Sequence, residues 1–109
     1  MSLTARSLES PHGEIPTLIL AKAEPYLAEL SDWEVDLEEG VLRRQFRFAD
    51  FAGTIRFVNE IAKLAEAEDH PPDLEIRYDI LDVTLSTPTV SGLTLQDFIV
   101  AAQIEKLPR

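Results

Sequence analysis

The chain has 109 residues, a formal net charge of −10 and no cysteine, which excludes two independently cored domains, disulfide staples and thiolate chemistry. Hydrophobic residues at 45% and charged residues at 28% match a folded globular chain rather than a disordered one. The negative charge repels phosphate backbones and no apolar run reaches membrane-spanning length, so neither nucleic acid nor a membrane is an expected partner.

Residues 1–14, with Ser, Pro, Gly and His and no sustained periodicity, read as a flexible arm ahead of a single domain over 15–109. MSLTARSLESPHGE also lacks the apolar stretch of a secretion signal, and the protein is expected in the cytoplasm. From Ile15 the apolar positions Leu18, Leu20, Ala21, Ala23, Leu27, Ala28 and Leu30 predict a helix that Pro25 breaks or kinks near its middle. Trp33, Val35 and Leu37 alternate with Glu34, Asp36 and Glu38, the period of a half-buried strand. Glu39-Gly40 turns the chain into VLRRQFRF, whose Leu42, Phe46 and Phe48 face one way and Arg43, Gln45 and Arg47 the other. Arg44 breaks that alternation by pointing inward, as a residue near an open edge or a partner would.

Asp50 is placed to cap a helix with apolar residues at Phe51, Ile55, Val58, Ala62 and Ala65, widened by Ile61 and Leu64. Pro71 and Pro72 stop it near Glu68 to His70. Leu74, Ile76, Tyr78 and Ile80 then alternate, while Leu81, Val83 and Leu85 take the opposite parity. The slip at Ile80-Leu81 predicts a bulge or a turn between two strands. After a loop at 88–92, Thr94-Leu95-Gln96-Asp97 spells a capping box for a last helix buried through Leu95, Phe98, Ile99, Ala101 and Ala102. The order of elements predicts an α+β domain: a four-stranded antiparallel sheet with three helices packed on one face.

Chemistry-bearing motifs are sparse. No Gly-rich phosphate loop, HExxH pair or GxSxG elbow occurs, and one histidine beside Asp69 does not make a metal site. Five of the seven arginines, Arg43, Arg44, Arg47, Arg56 and Arg77, crowd the middle of the chain, where they read as solvated faces balancing local carboxylates. Ordinary structural roles cover the other polar residues: Asp97 in its capping box, His70 at a helix C-terminus, Tyr78 on a half-buried sheet surface, Glu66 and Glu68 on a solvated helix face.

From about Tyr26 to Leu107 the chain resembles the pterin-4a-carbinolamine dehydratase family, also known as a dimerisation cofactor family. The likeness rests on the strand start at Trp33, the FADF segment at Phe48 to Phe51, the helix ending Glu66-Ala67-Glu68-Asp69-His70, then Pro72, Tyr78, the VTLST strand, Gly92-Leu93-Thr94 and Asp97-Phe98. The resemblance implies the same sheet backed by three helices. It also implies a dehydration that needs one group to protonate a departing hydroxyl and another to take a ring-nitrogen proton, work that imidazoles suit. Glu66, His70, Pro72, Tyr78 and Asp97 stand at matching positions. Pro71 and Pro88 replace the second polar residue and the later His or Trp, and Asp82 falls where some members carry another histidine.

Proline has no side-chain donor, acceptor or titrating proton. No catalysis is therefore expected from His70, Glu66, Asp97 or Asp82, and no cofactor or metal. The pattern resembles a branch of the wider family, the α-carboxysome assembly factors for ribulose-bisphosphate carboxylase (RuBisCO). That resemblance implies a homodimer, RuBisCO subunits as client and a carboxysome association, with Arg43, Arg47, Arg77 and Tyr78 as candidate binding residues. The alternatives are a 4a-hydroxytetrahydropterin dehydratase with a reduced acid–base site and a dimerising cofactor of a transcription regulator.

Overall fold

A computed structural model describes residues 17–36, 38–87 and 93–109. The expected arm with His12, Leu37 of the expected first strand, and Pro88 and Gly92 lie outside the described residues. The elements are helix α1 (Thr17–Leu27), a 3₁₀ turn (Ala28–Leu30), strands β1 (Glu34–Asp36) and β2 (Val41–Arg47), helix α2 (Phe51–Glu68), strands β3 (Asp73–Arg77) and β4 (Ile80–Leu85), and helix α3 (Leu95–Glu105). The strands form one antiparallel sheet in the order β1-β2-β4-β3. This is the α+β architecture the sequence implies, and among the described residues no helix is long and apolar enough to cross a membrane.

Pro25 does not break α1 at its own position. It sits inside the helix, and the chain tightens into the 3₁₀ turn only after Leu27. The proline removes one hydrogen bond, the one owed to Ala21, whose exposure lets water take its place. Asp50 caps α2 as expected, its side chain accepting from the Gly53 N–H at 2.8 Å.

The buried face of α2 matches the sequence expectation at Ile61 and Ala65 and departs from it elsewhere. Thr54, Phe57, Ile61 and Ala65 are buried, whereas Phe51 and Ala62 are exposed and Ile55 and Val58 half-buried. The helix carries two apolar stripes, and tertiary packing takes the one containing Phe57. That ring meets Phe46 at 4.8 Å and Phe48 at 5.4 Å between centroids. α3 runs through the middle of the helical layer, and Phe98, Val100, Ala101, Ala102 and Ile104 are all buried with Leu42, Phe46, Leu81, Val83 and Leu85 of the sheet.

Strand register fixes the two faces of the sheet. Leu42 pairs with Leu85, Arg44 with Val83 and Phe46 with Leu81, placing Arg44 on the core side as its parity demands. It is no edge residue: its Nε lies 2.6 Å from Glu105 Oε1, its guanidinium is 4.2 Å from the Phe46 ring centre, and Trp33 Nε1 donates to the same Glu105 oxygen at 2.9 Å. An inward arginine is tolerated because its charge is paired and its donors have acceptors.

The parity slip is a turn. Arg77 pairs with Ile80, leaving Tyr78-Asp79 as a two-residue hairpin loop with Tyr78 at φ 57°. Two facts hold this unfavourable conformation: buried Thr54 donates its hydroxyl to the Tyr78 carbonyl at 2.8 Å, and the Phe48 N–H donates to the Asp79 carbonyl at 2.9 Å.

Candidate functional site

The end of α2 and the start of α3 meet at one polar cluster. α2 ends on Asp69 in the left-handed conformation (φ 52°, ψ 42°), with the His70 N–H donating to the Ala65 carbonyl at 3.2 Å. Asp accepts this geometry more readily than most residues, and Pro71 forbids another helical turn. The reversal aims His70 back at α3, where its Nε2 comes 2.6 Å from Asp97 Oδ1.

Asp97 has no exposure, and its other oxygen, Oδ2, accepts from the Thr94 N–H at 2.9 Å and the Thr87 hydroxyl at 2.8 Å. The capping role read from the sequence holds for one oxygen, and the second oxygen orients an imidazole. With Nε2–H donating to the carboxylate, the remaining acceptor on the ring is Nδ1. An Asp–His pair of this kind can position a single proton acceptor. It supplies no separate acid.

The other sequence candidates do not converge here. Glu66 is exposed on α2 and makes no ion pair among the described residues. Asp82 lies on the far face of the sheet, accepting from Gln45 Nε2 at 2.9 Å and Arg77 Nη2 at 2.6 Å. Burial pushes its carboxyl up, but the hydrogen bonds from Gln45 and Arg77 outweigh that and hold it below the usual carboxylate value. Pro71 is exposed next to His70, and Pro88 lies outside the described residues.

Glu68, read from sequence as solvated, instead ties the helices together. It accepts from Gln103 Nε2 at 2.9 Å and Gln96 Nε2 at 3.2 Å. Partners 28 and 35 positions away leave no signal for that bond in the sequence.

The four candidate binding residues divide between two surfaces. Arg43, Arg47 and Arg77 share the outer face of the sheet. Arg43 bridges Asp36 at 3.1 Å and Glu39 at 2.5 Å, and the Glu39 N–H and Arg43 hold the Asp36 carboxyl below its ordinary value. Arg77 is engaged with Asp82, while Arg47 is exposed with no ion pair among the described residues. Tyr78 is not a half-buried sheet residue: it is 66% exposed at the hairpin tip and stacks on Phe51, itself 48% exposed, with ring centres 6.3 Å apart and planes within 9°. Both rings stand proud of the core as one aromatic ledge.

A four-stranded antiparallel sheet, helices on one face, and a histidine thrown off the end of α2 onto an aspartate of α3 define a small α+β domain with a partial acid–base site. The chain belongs to the family described as pterin 4 alpha carbinolamine dehydratase, whose model matches residues 16–107. It is 41% identical over 109 residues to a protein of Chromobacterium violaceum, with 100% of this chain and 98% of that protein covered. It is 34% identical over 107 residues to one of Halorhodospira halophila, covering 98% of each. Both relatives are provisionally named pterin-4-alpha-carbinolamine dehydratases.

Among solved structures, a transcriptional coactivator/pterin dehydratase from Brucella melitensis matches with a TM-score of 0.67 at 31% identity, covering 74% of this chain and 86% of that one. A pterin dehydratase-like protein identified as a RuBisCO assembly factor in the alpha-carboxysome matches with a TM-score of 0.60 at 20% identity, covering 71% of this chain and 89% of that one. The last likeness is one of fold.

Proposed function

We propose that this chain is a non-catalytic family member that works by binding protein: a homodimeric assembly factor with RuBisCO as its client, acting in the cytoplasm in association with the α-carboxysome. The observation that carries the reading is Pro71 beside the His70–Asp97 pair. Dehydration needs a proton delivered and a proton removed, and His70 is one imidazole with a pyrrolidine ring next to it. Pro88 at the second position of the resemblance compounds the loss.

Surfaces for binding support the same reading. The Phe51–Tyr78 ledge offers exposed aromatic anchors at a strained turn, and Ile76, two residues earlier, is also exposed. β3 is an edge strand whose sequence Asp-Leu-Glu-Ile-Arg, paired antiparallel with its own copy about Glu75, sets Asp73 against Arg77 and Leu74 against Ile76 on either side of one like-charged Glu75–Glu75 pair. RuBisCO as client rests on the fold shared with the assembly factor and on the lost acid–base residues together. Co-expression with a cognate RuBisCO tests it: assembled carboxylase rises with the wild-type chain and falls back with Phe51→Ala/Tyr78→Ala, whereas unchanged yield with the wild-type chain defeats the proposal.

One observation favours dehydratase activity as a second reading, the 2.6 Å His70–Asp97 contact, which is the geometry of an oriented base. Under that reading the purified protein dehydrates a 4a-carbinolamine pterin at a rate near that of a full-site relative, and His70→Ala abolishes it.

A further inference from the structure

β3 is the last strand of the described sheet, and its register fixes which of its backbone groups are free. Arg77 and Ile80 close a two-residue hairpin as a hydrogen-bonded pair, and Glu75 with Asp82 and Asp73 with Thr84 repeat it. The Phe48 N–H donating to the Asp79 carbonyl agrees, because alternation then turns Leu81 and Val83 toward β2, and Ile80, Asp82 and Thr84 toward β3. Leu74 and Ile76 are left aiming their N–H and C=O groups off the edge, and Ile76 is 40% exposed.

Two copies of this edge can match those free groups only about a two-fold axis that passes through a residue. Centred on Glu75, the axis bonds Leu74 to the partner's Ile76 and Ile76 to the partner's Leu74, and the next pair sets Pro72 against the partner's Tyr78. Such a pair ordinarily exchanges two hydrogen bonds. Here Pro72 has no N–H to give, and the Tyr78 carbonyl that would receive it already accepts the Thr54 hydroxyl at 2.8 Å. Centring on Leu74 instead would set Asp73 against Glu75, and centring on Ile76 would aim the Leu74 N–H at the occupied carbonyl. The side chains at this junction share the helical side of the sheet: His70, two residues before Pro72, contacts Asp97 of α3, and the Tyr78 ring stacks on Phe51 at the start of α2. Within one chain Pro72 and Tyr78 flank β3 at opposite ends, about 20 Å apart along the strand.

We propose that the His70–Asp97 site is shared between two copies of the chain, the partner's Tyr78, backed by the partner's Phe51, closing it on the side of Pro72. The inference rests on the homodimer proposed above. A dimer then carries two composite sites, each with an imidazole from one chain and an aromatic ledge from the other. An occupant meets a ring nitrogen of one copy and a phenol of the second, so it touches both chains at once.

The chain contains no cysteine, so engineered thiols report this contact without background. Opposed residues of a hydrogen-bonded antiparallel pair have Cα atoms about 5.5 Å apart, within disulfide reach. When Pro72→Cys and Tyr78→Cys chains are mixed and mildly oxidised, position 72 is expected to link to position 78 of the other chain, read by intact mass and peptide mapping. Neither variant alone should cross-link, because each thiol then lies about 20 Å from its own copy. Sedimentation of the same chains under reduction reports dimerisation independently. Monomers would remove the homodimer and the shared site together, whereas dimers that leave positions 72 and 78 unlinked would overturn the shared site alone. The wild-type chain gives a check free of substitutions: in dimers assembled from ¹³C-labelled and unlabelled copies, filtered NOEs should run from the Tyr78 ring to Pro72 and His70. Their absence in an established dimer would also overturn the proposal.

Discussion

Oδ1 of Asp97 lies 2.6 Å from Nε2 of His70, joining two residues 27 positions apart through a carboxylate that has no exposure. The pair is energetically coupled as well as close. Asp97→Ala removes a helix cap and strands the donors of His70, Thr87 and Thr94, a loss of about 2–4 kcal/mol. His70→Ala costs about 1–3 kcal/mol, because the buried carboxylate loses one partner and keeps two. Urea unfolding of the two single variants and the double yields a coupling of about 0.5–3 kcal/mol. Strict additivity would show that the contact contributes no stability of its own.

Arg44 and Glu105 make the second test. Their side chains are 15% and 12% exposed, and Glu105 also serves Trp33 and Arg109. Arg44→Ala leaves a largely buried carboxylate short of its main counter-charge and costs about 3 kcal/mol, whereas Arg44→Leu/Glu105→Leu removes both charges and costs less than either single change. Thermal melts of the three variants decide between this and a surface pair of negligible value.

These two contacts mark where reading the sequence stops working. Arg44 is legible as an inward-facing misfit because strand parity is a local property, but its partner is 61 residues away and lies on a helix with its own period. The parity slip at Ile80-Leu81 announces a break, yet the turn is carried just before it by Tyr78-Asp79, which lacks the Asn-Gly or Gly that such loops favour. On α2, Phe51, Ile55, Val58 and Ala62 have good helical spacing and lose to Thr54 and Phe57, while Ile61 and Ala65 of the expected stripe are buried. Periodicity finds an apolar stripe but does not say which of two stripes the sheet covers. At the site, the prolines are visible as absences, while the convergence of His70 on Asp97 needs the left-handed cap at Asp69.

Asp82 makes stability depend on pH. Its carboxyl titrates below the ordinary value, so the folded state binds this proton less readily than the unfolded state does. The resulting stabilisation is present above the ordinary carboxylate pKa and lost as pH falls through the lowered folded value. Asp82→Asn therefore flattens the acid side of the stability profile and costs no more than about 1 kcal/mol at neutral pH, the range for a partly exposed ion pair. Urea midpoints between about pH 7 and about pH 2 measure it, and an acid limb as steep as the wild type's would refute the assignment to this residue.

Tyr78 separates stability from binding. Its positive φ costs about 1–2 kcal/mol that glycine would not incur, while its stack on Phe51 returns about 0.5–1.5 kcal/mol. Tyr78→Gly keeps the Thr54 bond, which goes to the backbone carbonyl, and leaves stability within about 1 kcal/mol of wild type. The same change lowers the yield of assembled RuBisCO on co-expression if the ledge holds the client. A strongly destabilised glycine variant would mean that the ring serves the fold instead.

The edge strand gives the proposed homodimer a register that charge exchange can test. Pairing β3 with its two-fold mate about Glu75 places Asp73 opposite Arg77 at both ends, so Asp73→Arg sets two like-charged pairs across the interface, and Arg77→Asp does the same with the opposite sign. Each variant alone should dissociate at least about tenfold more readily than wild type in sedimentation equilibrium. When the two are mixed, both ends of the paired strands set an arginine of the Asp73→Arg chain against an aspartate of the Arg77→Asp chain, and a heterodimer forms where neither homodimer does. Circular dichroism confirms that each chain remains folded. Dimers that persist in both single variants, or a mixture that stays monomeric, would place self-association at another surface.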